Sequence, residues 1–175
     1  MTTLNEIRSH NPCQEGWAKL LKHLNKTSGD DQPLSLSTVL DSNGLDDAIW
    51  CLRTEQTPER IQRFALAVAR RTQHLHPQAK GTLDIVERYL SGQATKAELD
   101  AAGDATRYAA SDAAAVSAAG DAAAANTASN AGNAAYAVAY AAAYAAAYAA
   151  GDARYVAAYA SEREAQSQIF KEIFA

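Results

Sequence analysis

The sequence between residues 136 and 148 reads Tyr136-Ala-Val-Ala-Tyr140-Ala-Ala-Ala-Tyr144-Ala-Ala-Ala-Tyr148. A tyrosine therefore recurs at every fourth position on a background of alanine. Alanine has the highest intrinsic helix propensity, because it loses no side-chain entropy and buries no polar atom. A spacing of four places successive rings about one turn apart, so the stripe drifts by roughly 40° per step around the helix. We expect this segment to be a central helix around which the other helices pack.

Two interpretations of the tyrosines stay open. Tyr155 and Tyr159 rejoin the same side of the helix as the stripe, which makes the aromatic band broad. Packing of the rings in the core is the simpler interpretation, since burial after Leu99 has to come from alanine and tyrosine. The alternative is an interface, because tyrosine combines a large apolar body with a polar tip and is a favoured anchor in protein contacts.

The alanine-rich tract begins near Thr95, and a single helix from there to residue 175 would measure roughly 120 Å, too long for a compact domain of this size. Turn and capping residues cluster between Asn126 and Asn133, where we place a break. The tract thus predicts an antiparallel pair of helices over residues 96–125 and 133–173. The tetrapeptide Ala-Gly-Asp-Ala occurs three times, starting at Ala102, Ala119 and Ala150. Each copy indicates a kink, a helix restart with Asp as the cap, or a close helix crossing.

Shorter helices are predicted before this tract. Their starts, and that of the tract itself, are marked by capping boxes or by an N-cap residue followed by proline: Thr3/Glu6, Asn11-Pro12, Thr57-Pro58 and Thr95/Glu98. No alternating β-branched run predicts a strand. The sequence therefore predicts one all-α domain over residues 1–175, a multi-helix bundle. Residues 1–92 form a collar of short helices, packed on an alanine-rich hairpin of residues 95–175. The apolar residues from Ile169 to Phe174 should dock back on the collar.

Composition excludes several classes of function. The 175 residues carry a formal net charge of −4, so bulk charge does not indicate a nucleic-acid partner. Charged and amide side chains interrupt the alanine-rich tract, and the N-terminus lacks the apolar core of a signal peptide. We expect a cytoplasmic protein with no membrane contact. Cys13 and Cys51 occupy apolar positions of helical patterns and are expected to be buried, reduced thiols.

No motif in the sequence indicates an enzyme. A phosphate-binding glycine loop and a Gly-x-Ser-x-Gly nucleophile elbow are both absent. His74 and His76 would fall on different faces of a helix, which does not favour joint metal ligation. His10 and Cys13 are separated by a predicted helix start, which does not favour a nucleophile pair. We expect no catalytic residues, no metal site and no cofactor.

An acidic run is the first candidate binding surface. Between residues 30 and 55 the only cationic side chain is Arg53. The carboxylates of the run belong to Asp30, Asp31, Asp41, Asp46, Asp47 and Glu55. Such a run is commonly a solvated face. The functional interpretation is a patch that steers and docks a basic partner protein.

The helix predicted after Pro58 provides the second candidate. Its arginines fall within about 100° of one another, beside the apolar stripe. They are Arg60, Arg63, Arg70 and Arg71. In the simpler interpretation their stems cover the edge of the core and their charged heads lie in water. The alternative is a contact with phosphate or nucleic acid, although no aromatic residues are interleaved with the arginines.

Several stretches, taken in order, carry a resemblance to a known family. They are Cys13-Gln-Glu-Gly-Trp17, Asp41-Ser-Asn-Gly-Leu-Asp-Asp-Ala-Ile-Trp50, Phe64-Ala-Leu-Ala-Val-Ala-Arg70, Val86-Glu-Arg-Tyr89-Leu-Ser-Gly92-Gln-Ala-Thr95-Lys-Ala-Glu-Leu99 and, after the Ala-Ala-Ala-Tyr repeats, Glu162-Arg-Glu-Ala-Gln-Ser-Gln-Ile-Phe170. This order resembles a family of all-α immunity proteins, which occur beside bacterial polymorphic toxins and in phage genomes.

The resemblance implies a small helical protein that binds and blocks another protein. The expected function is that of a non-enzymatic inhibitor of a toxin or nuclease. In a phage, the same scaffold would act against host defence, in the manner of an anti-CRISPR protein. We expect the acidic residues between 30 and 55 to form the contact surface, and a homodimer through alanine or tyrosine faces is a further option. Phosphate or nucleic-acid binding through the arginines of residues 58–75 is the remaining alternative.

Overall fold

The computed structural model of the chain describes residues 1–75, 77, 80–109 and 128–175. The α-helices within these ranges are α1 (Leu4–Ser9), α2 (Gln14–His23), α3 (Leu36–Asn43), α4 (Leu45–Trp50), α5 (Pro58–Thr72), α6 (Lys80–Leu90), α7 (Lys96–Ala109), α8 (Ala128–Ala150) and α9 (Tyr155–Phe174). Short 3₁₀ helices cover Cys51–Thr54, Gln73–Leu75 and Asp152–Arg154. This part of the chain contains no strand, and its one isolated β-bridge joins Thr2 to Leu34. The predicted all-α class is confirmed.

Both predicted capping boxes begin helices. At α1 the hydroxyl of Thr3 accepts a hydrogen bond from the backbone N–H of Glu6 at 3.1 Å, and the Glu6 carboxylate accepts one from the Thr3 N–H at 3.0 Å. Thr95 and Glu98 exchange the same two bonds at the start of α7, at 3.2 and 2.7 Å. Pro58 occupies the first position of α5, as predicted. These local signals were sufficient because each cap involves residues only three positions apart.

The predicted start of α2 is wrong. Asn11 does not cap this helix, and its backbone takes a left-handed conformation with φ of 54°, which asparagine tolerates better than most residues. The N-cap is Cys13, whose Sγ accepts a hydrogen bond from the Gly16 N–H at 3.3 Å. This arrangement leaves Cys13 exposed, contrary to the prediction, whereas Cys51 is buried. Both thiols are free.

Helix α8 is the central helix of the described fold, and it packs on α5, α9, α4 and the 3₁₀ helix at Cys51–Thr54. We call its packed side the alanine seam. The residues of the seam are all fully buried: Ala135, Val138, Ala139, Ala142, Ala143 and Ala147. Because five of these six side chains are single methyl groups, neighbouring helices approach the backbone of α8 closely. The side chain of Gln166 in α9 reaches that backbone and donates to the Ala139 carbonyl at 2.9 Å.

Helices α8 and α9 form an antiparallel pair, which differs from the predicted pair of residues 96–125 and 133–173. The contacts between them run in opposite directions along the chain: Tyr148 meets Tyr155, and Tyr144 meets Tyr159. The prediction of a single helix over residues 133–173 is therefore wrong. The chain reverses at Gly151, whose backbone has φ of 76° and ψ of 165°, a region that is open almost only to glycine.

The three Ala-Gly-Asp-Ala copies do not behave alike. The copy that starts at Ala150 ends α8, whereas the copy that starts at Ala102 lies inside α7. The third copy, the predicted helix over residues 96–125 beyond Ala109, and residues 126 and 127 of the proposed break lie outside the described residues. The rest of that break, residues 128–133, is helical and belongs to α8.

The core of the collar is closed by the C-terminal helix. We call the buried aromatic and aliphatic residues packed around Phe64 the collar core, and they include Leu52, Ile61, Phe170 and Phe174. The Phe64 ring has edge contacts with Phe170 and Phe174, with centroids 5.5 and 6.2 Å apart. The Ser35 hydroxyl, which caps α3, also donates to the backbone carbonyl of Phe174 at 2.9 Å. The predicted docking of residues 169–174 on the collar is confirmed.

Helices α6 and α7 form an arm that is attached through α5. They pack on each other, and α6 also packs on α5. Val86 and Leu99 are buried between them, and Leu66 of α5 packs against this smaller cluster. The arm therefore has its own apolar contacts beside the collar core.

Candidate functional site

A row of tyrosines lies along the outer side of the α8–α9 hairpin. We call it the tyrosine face, and its members are Tyr136, Tyr140, Tyr144, Tyr148, Tyr155 and Tyr159. Along α8 the successive ring centroids are 4.6, 6.3 and 6.4 Å apart. Helix α9 adds two rings edge-on, 5.3 Å from Tyr144 and 5.4 Å from Tyr148. The rings thus form one connected aromatic surface.

Much of this surface is open to solvent. Tyr136, Tyr144 and Tyr148 are 40%, 44% and 74% exposed, and the other rings of the face are half-buried. The prediction that the stripe packs in the core is wrong for the three exposed rings. The reason is steric: the alanine seam occupies the inner side of α8, and helices in contact with methyl groups leave no room for phenol rings between them. The rings lie beside the seam and, from Tyr136 to Tyr148, turn progressively away from it by about 40° per step.

The tyrosine face also lacks charge over most of its length. No residue of α8, from Ala128 to Ala150, carries a charged side chain. At the start of α9, next to the face, Val156 is 79% exposed. The centres of protein–protein interfaces are depleted in charged residues and enriched in tyrosine. In composition the outer side of this hairpin therefore matches the centre of an interface.

Tyr140 anchors one edge of the tyrosine face to the collar. Its hydroxyl donates to Asp46 Oδ2 at 3.2 Å, and the Arg163 guanidinium lies over its ring, 5.0 Å from the centroid. Hydrogen bonding to Tyr136, burial and the Asp46 carboxylate together raise the pKa of Tyr140 well above its usual value. Burial likewise raises the pKa values of Tyr155 and Tyr159.

A polar network lies behind this edge, with Gln166 and Glu162 buried at its centre and Asp46 and Arg71 exposed at its ends. The Arg163 guanidinium hydrogen-bonds to Asp46 and donates to Gln166 Oε1 at 3.1 Å. Gln166 Nε2 donates in turn to Glu162 Oε1 at 3.3 Å. The Glu162 carboxylate, which is buried, accepts from Arg71 Nε at 3.0 and 3.1 Å. The network joins α4, α9 and α5 across the hairpin, and it fixes the position of α9.

Sequence reasoning missed the members of this network that lie in α9. The four-residue spacing of Glu162 and Gln166 places them on one side of a helix, and that was the available signal. Their inward orientation depends on Arg71, which lies 91 positions earlier in the chain than Glu162. A pairing over that distance leaves no local pattern.

The predicted acidic residues make their contacts in different parts of the fold. Near α1, Asp30 pairs with Lys26 at 2.6 Å, and Asp31 accepts a hydrogen bond from Asn5 Nδ2 at 2.8 Å. The hydrogen bond from Lys26 lowers the pKa of Asp30 below its ordinary value. Near α9, Asp41 pairs with Lys171 at 2.7 Å.

The remaining acidic residues also have partners within the chain. Glu55 is buried, pairs with Arg60 at 2.9 Å and accepts from the Thr57 N–H at 3.0 Å. Asp47 accepts a hydrogen bond from Asn43 Nδ2 at 2.7 Å, and Asp46 pairs with an arginine of α9, as described above. Four of the six predicted carboxylates are thus in ion pairs with cations of the same chain. Their role in docking a partner stays a prediction.

The predicted arginine face is likewise engaged within the fold. Arg60 donates through Nε to the Ile173 carbonyl at 3.2 Å, and Arg63 donates to the Leu90 carbonyl at 3.1 Å. Both therefore satisfy free carbonyl groups at helix C-termini, where a positive charge is favourable. Arg70 pairs with Asp84 at 2.7 Å and Glu87 at 2.8 Å, and Arg71 pairs with Glu162. The charged heads are therefore bonded within the chain, whereas the simpler interpretation left them in water, and phosphate binding stays a prediction.

The described residues bring no obvious catalytic group together. Among them, no group of three or more His, Cys, Asp and Glu side chains has the geometry to hold a metal ion. His74 is exposed, and His76 lies outside the described residues. Burial, with a contribution from Asp47, raises the pKa of the Cys51 thiol to about 12, so this thiol is protonated and a poor nucleophile. In the ranges that the structure describes, none of the helices has the length and apolar character needed to cross a bilayer.

Comparison with models of known families, with curated protein sequences and with solved structures gave no significant match.

Proposed function

We propose that this chain is a non-enzymatic inhibitor of the immunity type, which binds a target protein through the tyrosine face. The observation that supports the proposal is the connected, partly exposed row of rings on a helix without charged residues. Tyrosine is among the residues that contribute most to binding at protein interfaces. Because the rings already contact one another in the free protein, little side-chain entropy is lost when a partner covers them.

The target in this proposal is a toxin or nuclease, or, for a phage protein, a component of host defence. This part of the proposal rests on the sequence resemblance. The partly exposed rings favour a target with an aromatic or apolar surface over one that offers only basic side chains. The acidic residues predicted as the contact surface are largely paired within the chain, so we assign them to the rim at most.

The first experiment compares two variants. Tyr144→Ser with Tyr148→Ser removes two exposed rings, and Asp30→Asn with Asp31→Asn removes two acidic groups far from the tyrosine face. Proteins captured from the native host by the wild-type chain and by each variant are quantified, and each captured protein is purified and assayed with and without the chain. A tyrosine that is a binding hot spot contributes about 2 kcal/mol or more, so we expect the first variant to weaken binding by roughly 30-fold or more.

The proposal is supported if one captured protein loses its activity in the presence of the wild-type chain and of the acidic variant, but not of the tyrosine variant. It is wrong if the acidic variant abolishes inhibition and the tyrosine variant does not. Sedimentation of the chain alone identifies a third result, in which the tyrosine variant dissociates a homodimer. Retention on DNA that fades steeply with salt would instead support the nucleic-acid alternative.

A further inference from the structure

The collar contains an apolar cavity that takes no part in the proposed function. It lies among α2, α3 and α4 and has a volume of about 130 Å³. The chain has only two tryptophans, Trp17 and Trp50, and both line this cavity. Its inner wall includes Leu20 and Val39, which are buried, and its outer rim includes the exposed Cys13.

The two tryptophan rings are held in place from outside. The Arg53 guanidinium lies over the Trp50 ring, 3.9 Å from its centroid, and also donates to the Trp50 carbonyl at 2.7 Å. The Arg8 guanidinium lies 5.2 Å from the Trp17 centroid. Such contacts between a cation and an aromatic ring are attractive, so the walls of the cavity are preorganised.

One carboxylate faces this apolar space. Asp47 lines the cavity, and its Oδ2 accepts a hydrogen bond from Asn43 Nδ2 at 2.7 Å. Asn43 Nδ2 also donates to the Gly16 carbonyl at 2.8 Å, which fixes the amide. Within the described part of the chain no cationic side chain forms an ion pair with Asp47, in contrast to the paired carboxylates described above. Its negative charge is available to a ligand.

Gly16 keeps the space beside this carboxylate open. A Cβ atom at position 16 would lie 2.7 Å from Asp47 Oδ2 and 3.1 Å from Cys13 Sγ. Both distances are shorter than ordinary van der Waals contacts. A side chain at this position would therefore push against the carboxylate and narrow the rim.

We propose that this cavity binds a small organic ammonium ion whose apolar body is about the size of one six-membered ring. The volume supports the size, since a cavity of about 150 Å³ in another protein holds benzene. The tryptophan and aliphatic walls match the apolar body. The Asp47 carboxylate accepts the N–H donors of the ammonium group, and a charge-assisted hydrogen bond of this kind is stronger than one between neutral groups.

The test uses tryptophan emission as the readout, because every tryptophan of the chain lines the cavity. Benzylammonium chloride is titrated into the wild-type chain, and benzyl alcohol serves as its uncharged counterpart. We expect a saturable change in emission with both probes and an affinity about tenfold or more higher for benzylammonium. Asp47→Asn removes this preference, and Gly16→Ala weakens the binding of both probes.

Three further measurements keep the result interpretable. Asp41→Asn, a change at a carboxylate outside the cavity, leaves both affinities unchanged. The tyrosine-face variant also leaves them unchanged, so the cavity and the proposed function are tested separately. Circular dichroism establishes that each variant is folded. The proposal is overturned if emission shows no saturable change, if benzyl alcohol binds as tightly as benzylammonium, or if folded Asp47→Asn retains the preference for the ammonium ion.

Discussion

The collar core and the alanine seam are both fully buried, but they are packed in different ways. In the collar core, Phe64, Ile61 and Leu52 fill the space between helices with large side chains. In the seam, residues such as Ala142 and Ala143 contribute one methyl group each, and the helices themselves occupy the space. Protein interiors are close-packed, so each region is sensitive to a different change. Removing atoms from the collar core should lower the stability of the protein, whereas in the seam the damaging change should be the addition of atoms.

The largest effect is expected from removing a ring in the collar core. Phe64→Ala leaves a cavity among α5 and the rings of Phe170 and Phe174. We expect the free energy of unfolding to fall by about 3–5 kcal/mol, measured by urea denaturation. As a control, Val156→Ala removes exposed methyl groups and should change stability by less than about 0.5 kcal/mol. Equal losses in the two variants would mean that the collar core is not packed as described.

Adding atoms to the alanine seam tests the other half of this comparison. Ala143→Leu adds three carbon atoms to a fully buried position of α8. We expect a loss of about 3 kcal/mol, near the upper end for overpacked cores, because the helices must move apart to accept the side chain. Ala149→Leu makes the same change at an exposed position of the same helix, and it should be neutral within about 0.5 kcal/mol. If Ala143→Leu were equally neutral in urea denaturation, the seam would not be a close helix contact.

A third variant tests the turn at Gly151, which joins α8 to α9. Gly151→Ala places a Cβ atom on a backbone with φ of 76° and should destabilise the protein by about 2 kcal/mol. Gly81→Ala makes the same change inside α6, where no atom lies within 4 Å of the added Cβ. It should stabilise the protein by about 0.4–1 kcal/mol, since alanine has fewer unfolded conformations to lose. Thermal unfolding of the two variants should therefore shift in opposite directions, and a shift in the same direction would argue against the turn.

The smallest effect concerns the half-buried phenols of the tyrosine face. The pKa values of Tyr140, Tyr155 and Tyr159 are raised in the folded state above the unfolded value of about 10. Their contribution to stability is therefore fully present below about pH 10 and is lost as the pH rises through the raised folded values. We expect urea denaturation to show a decline in stability above about pH 10.

Absorbance titration of the phenols checks the assignment. Tyr140→Phe should remove part of the late ionisation and make the alkaline decline shallower. Tyr148→Phe removes one phenol from the exposed end of the tyrosine face and corrects for the loss of a chromophore. An alkaline profile that does not differ between the wild-type chain and Tyr140→Phe would mean that this phenol is not held by Tyr136 and Asp46.

The comparison also explains which parts of the fold were predictable. The capping boxes were predictable, because both partners of each box lie within one turn. The docking of Phe170 and Phe174 was predictable too, because their four-residue spacing marks an apolar side of a helix. The periodicity of the tyrosines showed which rings share a side of α8. It did not show which side turns inward, because alanine is compatible with both burial and exposure.

The candidate site was predictable only in its residue types. The identical tetrapeptide at Ala102 and Ala150 lies inside a helix in one case and in a turn in the other, so tertiary packing decides between them. Local sequence likewise gave no indication that Arg163 would pair with Asp46, a residue 117 positions away. The acidic and basic runs were therefore visible as sets of charges, while the partners of those charges, most of which lie outside both runs, were not.

The bond between Ser35 and Phe174 has a consequence for the order of folding. It joins residues 139 positions apart, and it closes the same region that Phe64 occupies. Helical proteins usually fold quickly because their contacts are local, whereas contacts between distant residues require the slow closure of a long loop. We therefore expect the apolar surface of the collar helices to be covered only when α9 docks. A kinetic intermediate with α9 undocked would expose that surface, which makes this stage of folding the one most prone to aggregation.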